Sequence, residues 1–337
     1  MAYKPRPSLD ELRGSARVVS LPLRTKFRGL IEREVMLLEG PQGWTEWSPF
    51  VEYEDAEASV WLNAAIEFGW SAEVANLPAD TPSAIAVNAI LPAVAPESVP
   101  QILNRFGRFS TVKIKVAEAG QSIEQDLARI DAALEFNPYA KIRLDANGGY
   151  SVQQALEIAN QLSAREIAVE YLEQPVASVS EMAELRAHLA PKGIKIAADE
   201  NVRKAADPLA VARAQAADIL VLKAAPLGGI SKAIEIAGQA NLPVVVSSAM
   251  DSSVGLSMGA FLAAKLPNHG FAAGLGTASL LAADVTREPL KPVDGKIDVR
   301  RVEVDQAALD RHRAEDHRVD WWLERLATAY SALENHG

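Results

Sequence analysis

Five charged residues recur through the middle of the chain at evenly shrinking intervals. Lys115, Asp145, Glu173, Asp199 and Lys223 stand 30, 28, 26 and 24 residues apart, each at the end of a short apolar run. Three carboxylates brought together repel one another and raise each other's pKa unless a cation lies among them. An oxygen-only ligand set with open positions suits Mg²⁺ better than Zn²⁺. A substrate carboxylate bound to such an ion would put its α-carbon between two lysines. Ion charge, the second lysine and desolvation all lower a lysine's pKa towards the range of a general base. A single Asp or Lys at a strand end is more often solvated or capping a helix, so the specificity lies in all five at this spacing.

Each interval has the length of one strand–helix unit. From about residue 83, short runs rich in Val and Ile alternate with Ala/Leu/Glu stretches of helical period. The runs fall at 84–90, 111–116, 142–146, 168–172, 194–198, 219–222, 244–248 and 271–274. Between them, 122–135, 152–163, 179–189, 208–216, 230–240 and 253–265 read as helices. Strand–helix alternation predicts an α/β fold with parallel strands, and eight units suggest a closed (β/α)₈ barrel or a close variant. Lys113 and Lys115 share one strand face while aliphatics take the other, and the polar residues of 141–147 divide likewise. Polar residues facing inward at strand ends belong at a barrel's mouth. Asp145, Glu173 and Asp199 would end three adjacent strands about 5 Å apart, with Lys115 and Lys223 on opposite strands. Lys113 is a further mouth residue. Glu170 falls on the other face from Glu173 and reads as structural, and Glu200 beside Asp199 suits either role.

Residues 1–80 read as a small α+β unit, with strand and loop over 15–35, a turn and loop over 44–50 and helix over 55–75. The tail shows a possible strand at 296–304, then a helix carrying Trp321 and Trp322 as core residues that packs back on the N-terminal part. The net charge of −10, from 34 basic and 44 acidic residues, argues against nucleic acid or an anionic membrane as partner. It leaves room for a small anion bound by local cations or a metal. No apolar run is long enough to span a bilayer, and the start of the chain has no apolar signal core, so a cytoplasmic protein is expected. The absence of cysteine excludes disulfides, a thiolate nucleophile and cysteine metal sites. None of the five histidines forms an H-x-x-x-H pair, and only His269 lies near a strand. Gly228, Gly229, Gly274 and Gly276 read as turn residues, and no dinucleotide fingerprint is complete.

The K-x-K of Lys113 and Lys115, the D-A-N of Asp145 to Asn147, the E-Q-P of Glu173 to Pro175, the D-E of Asp199 and Glu200 and the lone Lys223 resemble the enolase superfamily. The likeness is to its muconate-lactonising-enzyme subgroup and covers nearly the whole chain. It implies a modified TIM-type (β/α)7β barrel over residues 83–277, under an α+β capping domain formed by residues 1–82 and 278–337. It implies Mg²⁺, with Mn²⁺ as a substitute, held by Asp145, Glu173 and Asp199. It implies that Lys115 acts on the substrate proton, that the ion stabilises the resulting enediolate, and that Lys223 faces its π system as a cation.

Within the subgroup, segments 43–50, 246–253 and 274–277 are most similar to a dehydratase branch. Racemases and dipeptide epimerases tend to carry acids near the last strand, where this chain has Gly274, Leu275 and Gly276. The implied reaction is the syn-dehydration of 2-succinyl-6-hydroxy-2,4-cyclohexadiene-1-carboxylate, a small anionic dicarboxylate, to 2-succinylbenzoate in menaquinone biosynthesis. Lys113, Asn147, Ser248 and Gly274 are candidate substrate contacts. Ala249, Met250 and Asn201 depart from related sequences. N-succinylamino acid racemase or muconate cycloisomerase chemistry is the alternative on the same scaffold, with the two lysines as two bases in the racemase case. A non-catalytic binding barrel is the alternative of another class, and the intact set of five argues against it. A cationic loop over 21–29, with Arg24, Lys26 and Arg28, is expected to close over the substrate.

Overall fold

A computed structural model of the chain describes residues 6–27, 29–204, 207–267 and 270–335. A short helix, Leu9–Ser15, comes first and three antiparallel strands follow: β1 (Arg17–Phe27), β2 (Leu30–Gly40) and β3 (Gly43–Trp47). The strand period of two divides their apolar residues between two cores. Val18, Met36, Leu38 and Trp47 face one, and Val19, Leu21, Val35 and Leu37 face the other. Both faces being buried explains why the sequence alternates only weakly here. The helix Asp316–Asn335 brings Trp322, Leu326, Ala329 and Leu333 into the first core beside Trp61, Leu62 and Ala65 of the helix Asp55–Trp70. Trp47 and Trp322 meet edge to face with ring centres 5.4 Å apart. The tail thus packs on the N-terminal part.

The larger core surrounds a curled parallel sheet. After β4 (Ala84–Ala86) come β5 (Ala89–Leu91), β6 (Thr111–Lys115), β7 (Lys141–Asp145), β8 (Val169–Glu173), β9 (Ile196–Ala198), β10 (Ile219–Leu222) and β11 (Val244–Val246). Strands β5 to β11 lie side by side in chain order, all parallel. Residues 273–274 run between its two edges. Gly274 N donates to Val246 O (2.7 Å), Ala273 N to Ala86 O (2.7 Å) and Asn88 N to Ala273 O (3.0 Å). Three crossover helices begin with a reciprocal serine cap, Ser122 with Gln125, Ser151 with Gln154 and Ser178 with Glu181. Each pair satisfies two N–H groups that the first turn leaves open.

Several boundaries differ from expectation. The 84–90 run is two strands: β4 pairs antiparallel with β12 (Lys296–Asp298), and only β5 joins the parallel sheet. Most of 44–50 is β3 rather than loop. The expected loop at 21–29 continues β1 as far as Phe27. Arg24 Nε donates to Leu281 O at 3.0 Å, which ties this segment to the body, and Arg28 lies outside the described residues. The stretch 208–216 yields only the helix Ala210–Arg213, 296–304 yields only β12, and 271–274 makes isolated bridges. Between Ile142↔Val169 and Arg143↔Tyr171 the register slips by one residue. Glu170 occupies the slip, so its carboxylate reaches inward to Arg143 Nε at 2.6 Å. It pairs with Arg143 and Lys141 and does not lie on the expected face, opposite Glu173.

Two glutamates join the cap to the sheet's helices. Glu46 Oε2 accepts from Ser252 N (3.0 Å) and Gly255 N (3.3 Å) at the start of the helix Ser253–Lys265. Glu67 accepts from Ile230 N (2.6 Å) and Ser231 N (3.1 Å) at the start of Ile230–Ala240. Helix N-termini favour such carboxylates through their open N–H groups and dipole. Gly229, at φ +130°, is required here because a Cβ would collide with the Glu67 carboxylate.

Candidate active site

Strand register brings the predicted residues to one end of the sheet. Lys115 lies opposite Asp145, Asp145 opposite Glu173, and Glu173 opposite Ala197, two residues before Asp199. Lys223 follows the last residue of β10. Beneath them Tyr171, Ala197, Ile219, Val221 and Val245 form a small apolar floor with Phe271. The backbone turns sharply just above, where Ala117, Asn147, Gln174 and Met250 all have positive φ. Non-glycine residues in that region cost energy and are held by their surroundings, a pattern that gathers at functional sites.

The charges answer one another. Lys113 Nζ lies 3.2 Å from Asp145 Oδ2 and 2.8 Å from Glu173 Oε1. Lys223 Nζ lies 2.5 Å from Asp199 Oδ2, whose other oxygen is 3.1 Å from Arg203 Nε. Arg203 also reaches Glu200 at 2.8 Å. Lys115 Nζ donates to Asn147 Oδ1, and Asn147 Nδ2 donates to Glu200 Oε1 at 3.1 Å. Burial opposes ionisation of Asp199, but the charges of Lys223 and Arg203 outweigh it and hold its pKa far below the usual range. Asp145 is likewise buried yet lowered, by Lys113 and Lys115. Glu173 is raised to about 7, because burial and the charges of Asp145 and Asp199 outweigh Lys113.

A cavity opens above this layer. Lys113, Lys115, Asp145, Asn147, Asp199 and Lys223 line one side, and Ser248 and Gly274 line the other. Glu173 sits beneath Lys113, 1% exposed. Ser248 Oγ donates to Gly274 O (2.9 Å) and is 3.1 Å from Thr277 Oγ1. All nine predicted site residues therefore gather in one place. Phe50, Arg203 and Thr277 also line the cavity and were not foreseen. Arg203 had a readable signal, since it stands four residues after Asp199 and three after Glu200. Phe50 and Thr277 come from segments with no charge or period to mark them. His269 lies outside the described residues.

Among the described residues no three acidic or imidazole side chains stand close enough to enclose an ion, and Lys113, Lys223 and Arg203 pair with the acids instead. The donor set nevertheless fits a hard divalent cation. It is all oxygen, it comes from neighbouring strands, and the buried Glu173 Oε2 has no hydrogen-bond partner. An unsatisfied buried carboxylate oxygen is costly unless a ligand completes it.

This fold and site define a class. The Enolase C-terminal domain-like family model matches residues 97–303 and the Enolase N-terminal domain-like model matches residues 18–69. The chain belongs to the enolase superfamily. Muconate lactonizing enzyme from Pseudomonas fluorescens, solved with muconolactone, superposes with a TM-score of 0.73 at 18% identity, over 89% of this chain and 98% of that one; at that identity the likeness is one of fold. In sequence the chain is similar to o-succinylbenzoate synthase of Mycolicibacterium smegmatis, 47% identical over 97% of this chain and 98% of the relative. It is similar too to the o-succinylbenzoate synthase of Mycobacterium tuberculosis, 48% identical over 97% of each. Among the described residues no helix is long and apolar enough to cross a membrane.

Proposed function

We propose that this chain is an o-succinylbenzoate synthase, a cytoplasmic hydro-lyase of menaquinone biosynthesis. It dehydrates 2-succinyl-6-hydroxy-2,4-cyclohexadiene-1-carboxylate to 2-succinylbenzoate and water. The observation that carries the reading is 47–48% identity to o-succinylbenzoate synthases over 97% of the chain. The neutral far wall of the cavity, Ser248, Gly274 and Thr277, supports it, because a substrate without an amino group needs no acid there. We read the sheet and its bridging segment as a (β/α)7β barrel over 83–277, capped by 1–82 with 278–337.

Asp145, Glu173 and Asp199 are the residues that would hold Mg²⁺, or Mn²⁺ in its place. When bound, the ion supplies positive charge to the substrate carboxylate as negative charge builds on it. Lys115, held by Asn147, takes the proton from the carbon next to that carboxylate. The electron pair left behind moves into the ring, the carbon–oxygen bond to the hydroxyl breaks, and Lys115 returns its proton so that water leaves. Lys223, held in place by Asp199, faces the anion formed between the two steps. Loss of water leaves an aromatic ring, which makes the sequence downhill. Lys113 stays with the carboxylates as their counter-charge. Ser248 and the Gly274 backbone meet the succinyl arm.

The test is to follow aromatisation of the cyclohexadiene substrate by ultraviolet absorbance, first with Mg²⁺ and then with EDTA. Mg²⁺-dependent conversion with kcat/KM in the range of roughly 10⁴–10⁸ M⁻¹s⁻¹ supports the reading. A folded, metal-loaded protein that leaves the substrate unchanged refutes it. A pair of lysines in the cavity, Lys115 and Lys223, also suits a racemase, and solvent deuterium entering the α-carbon of an N-succinylamino acid would favour that chemistry.

A further inference from the structure

The loop from β3 to the helix Asp55–Trp70 covers the cavity with Phe50, and it is held from both sides. Behind it stands Arg325 of the C-terminal helix, 6% exposed. Its Nη1 donates to Pro49 O (3.4 Å), and its Nη2 donates to Phe50 O (2.9 Å) and Tyr53 O (2.6 Å). A planar guanidinium can hold several carbonyls at once, which an ammonium on a flexible stem cannot do in one geometry. In front, the Tyr53 hydroxyl accepts from Arg203 Nη1 at 3.2 Å. Arg203 in turn holds Asp199 and Glu200. Phe50, Tyr53 and Trp61 pack edge to face or tilted, with ring centres 5.5–6.2 Å apart, so the two loop rings rest on each other and on one helix residue. An unbroken series of contacts thus runs from the last helix of the chain to a carboxylate of the charged layer.

We propose, resting on the dehydratase reading above, that Arg325 is a positioning residue for the reaction. From the C-terminal helix it sets the height of loop 48–53 over the cavity, and through Tyr53 and Arg203 it fixes the Asp199 carboxylate. The covering loop is a permanently fastened part of the site, whose position is decided by a residue more than 270 positions away in sequence.

The experiment compares the full-length, Mg²⁺-loaded native enzyme with Arg325→Lys, Tyr53→Phe and the double variant. Steady-state kinetics and hydrogen exchange of the loop amides are measured on each. Arg325→Lys keeps the charge and is expected to fold; it raises KM about 10-fold, and it lowers kcat by less. The Tyr53 amide, which donates to Phe50 O at 3.0 Å, exchanges about 10-fold faster, while the amides of the helix Asp55–Trp70 keep their rates. Tyr53→Phe raises KM about 3-fold. The double variant is no worse than Arg325→Lys alone, because both changes act through one loop. A lower melting temperature with unchanged KM and unchanged loop exchange makes Arg325 a structural anchor only and overturns the proposal, as do fully additive effects of the two changes. A native enzyme that does not turn over the cyclohexadiene overturns the functional reading instead, and the exchange rates then decide the proposal by themselves.

Discussion

The two sides of the cavity are built on different principles. On the side of β6 to β10, the lining is charged or amide, and each charge has a charged or amide partner within about 3.2 Å. On the side of β11, residues 273–274 and β5, it is Ile90, Leu91, Ser248, Ala249, Met250, Gly274 and Thr277, with hydroxyls bonded to backbone or to each other. On the proposed reading, charge is confined to where a proton would move and an anion form, and the neutral side is left to shape and hydrogen bonding. A common scaffold can thus keep its chemistry on one side while the other side chooses the substrate.

The largest expected effect tests the charged side. Lys115→Ala should lower kcat by about 10³-fold or more while the melting temperature holds, since the side chain of Lys115 has Asn147 as its one hydrogen-bond partner among the described residues. Retained turnover would end the division of labour drawn above. Next comes Asp199→Asn. Removing a buried anion leaves Lys223 without its carboxylate partner and Arg203 with Glu200 alone, so metal-free stability should fall by about 3 kcal/mol in denaturant titration. Mg²⁺ affinity should fall together with turnover, and titration calorimetry would read it. On the neutral side Gly274→Ala is the sharper probe, because its Cβ would stand 2.6 Å from Ser247 Oγ. Overpacking of about 1–3 kcal/mol should raise KM about 10-fold with a smaller change in kcat. A loss confined to kcat would mean that this side also takes part in the chemistry.

The smallest effect concerns pH. Glu46 is raised from 4.5 to about 7, by burial and then by the charge of Asp251. A raised acid binds its proton more tightly folded than unfolded. Its contribution is therefore fully present below pH 4.5 and is lost as pH rises towards 7. Melting temperatures of metal-free protein should decline across that window, and Glu46→Gln should flatten the decline only in part, because Asp251 and Glu173 are raised as well. An unchanged slope would mean that Glu46 is ionised in the fold.

The charged side was legible in the sequence because strand ends impose a regular spacing, and five charges at that spacing are visible without a structure. The parallel strands were legible for the same reason, from β6 to β11. The covering loop was not. Phe50, Tyr53, Arg203 and Arg325 meet through backbone carbonyls and one hydroxyl, across separations of 150 to 275 residues, and no local period records such a meeting. The β1–β2 hairpin hid its alternation because both its faces are buried. The slip at Glu170 could not be seen either, since an extra residue in a strand leaves its composition unchanged.

Glu46 and Glu67 also bear on the order of assembly. Each accepts N–H groups from a helix that begins 163 to 206 residues later. At about 5–20 residues per second of synthesis, these acids leave the ribosome roughly 10–40 s before their partners exist. The first-made segment therefore waits with two open carboxylates, and the helices Ile230–Ala240 and Ser253–Lys265 find their N-terminal partners already synthesised. A circular permutant in which residues 1–82 follow residue 337 would reverse that order, so its folded yield on synthesis, set against its refolding yield from denaturant, would show how much the chain depends on making these acids before their partners.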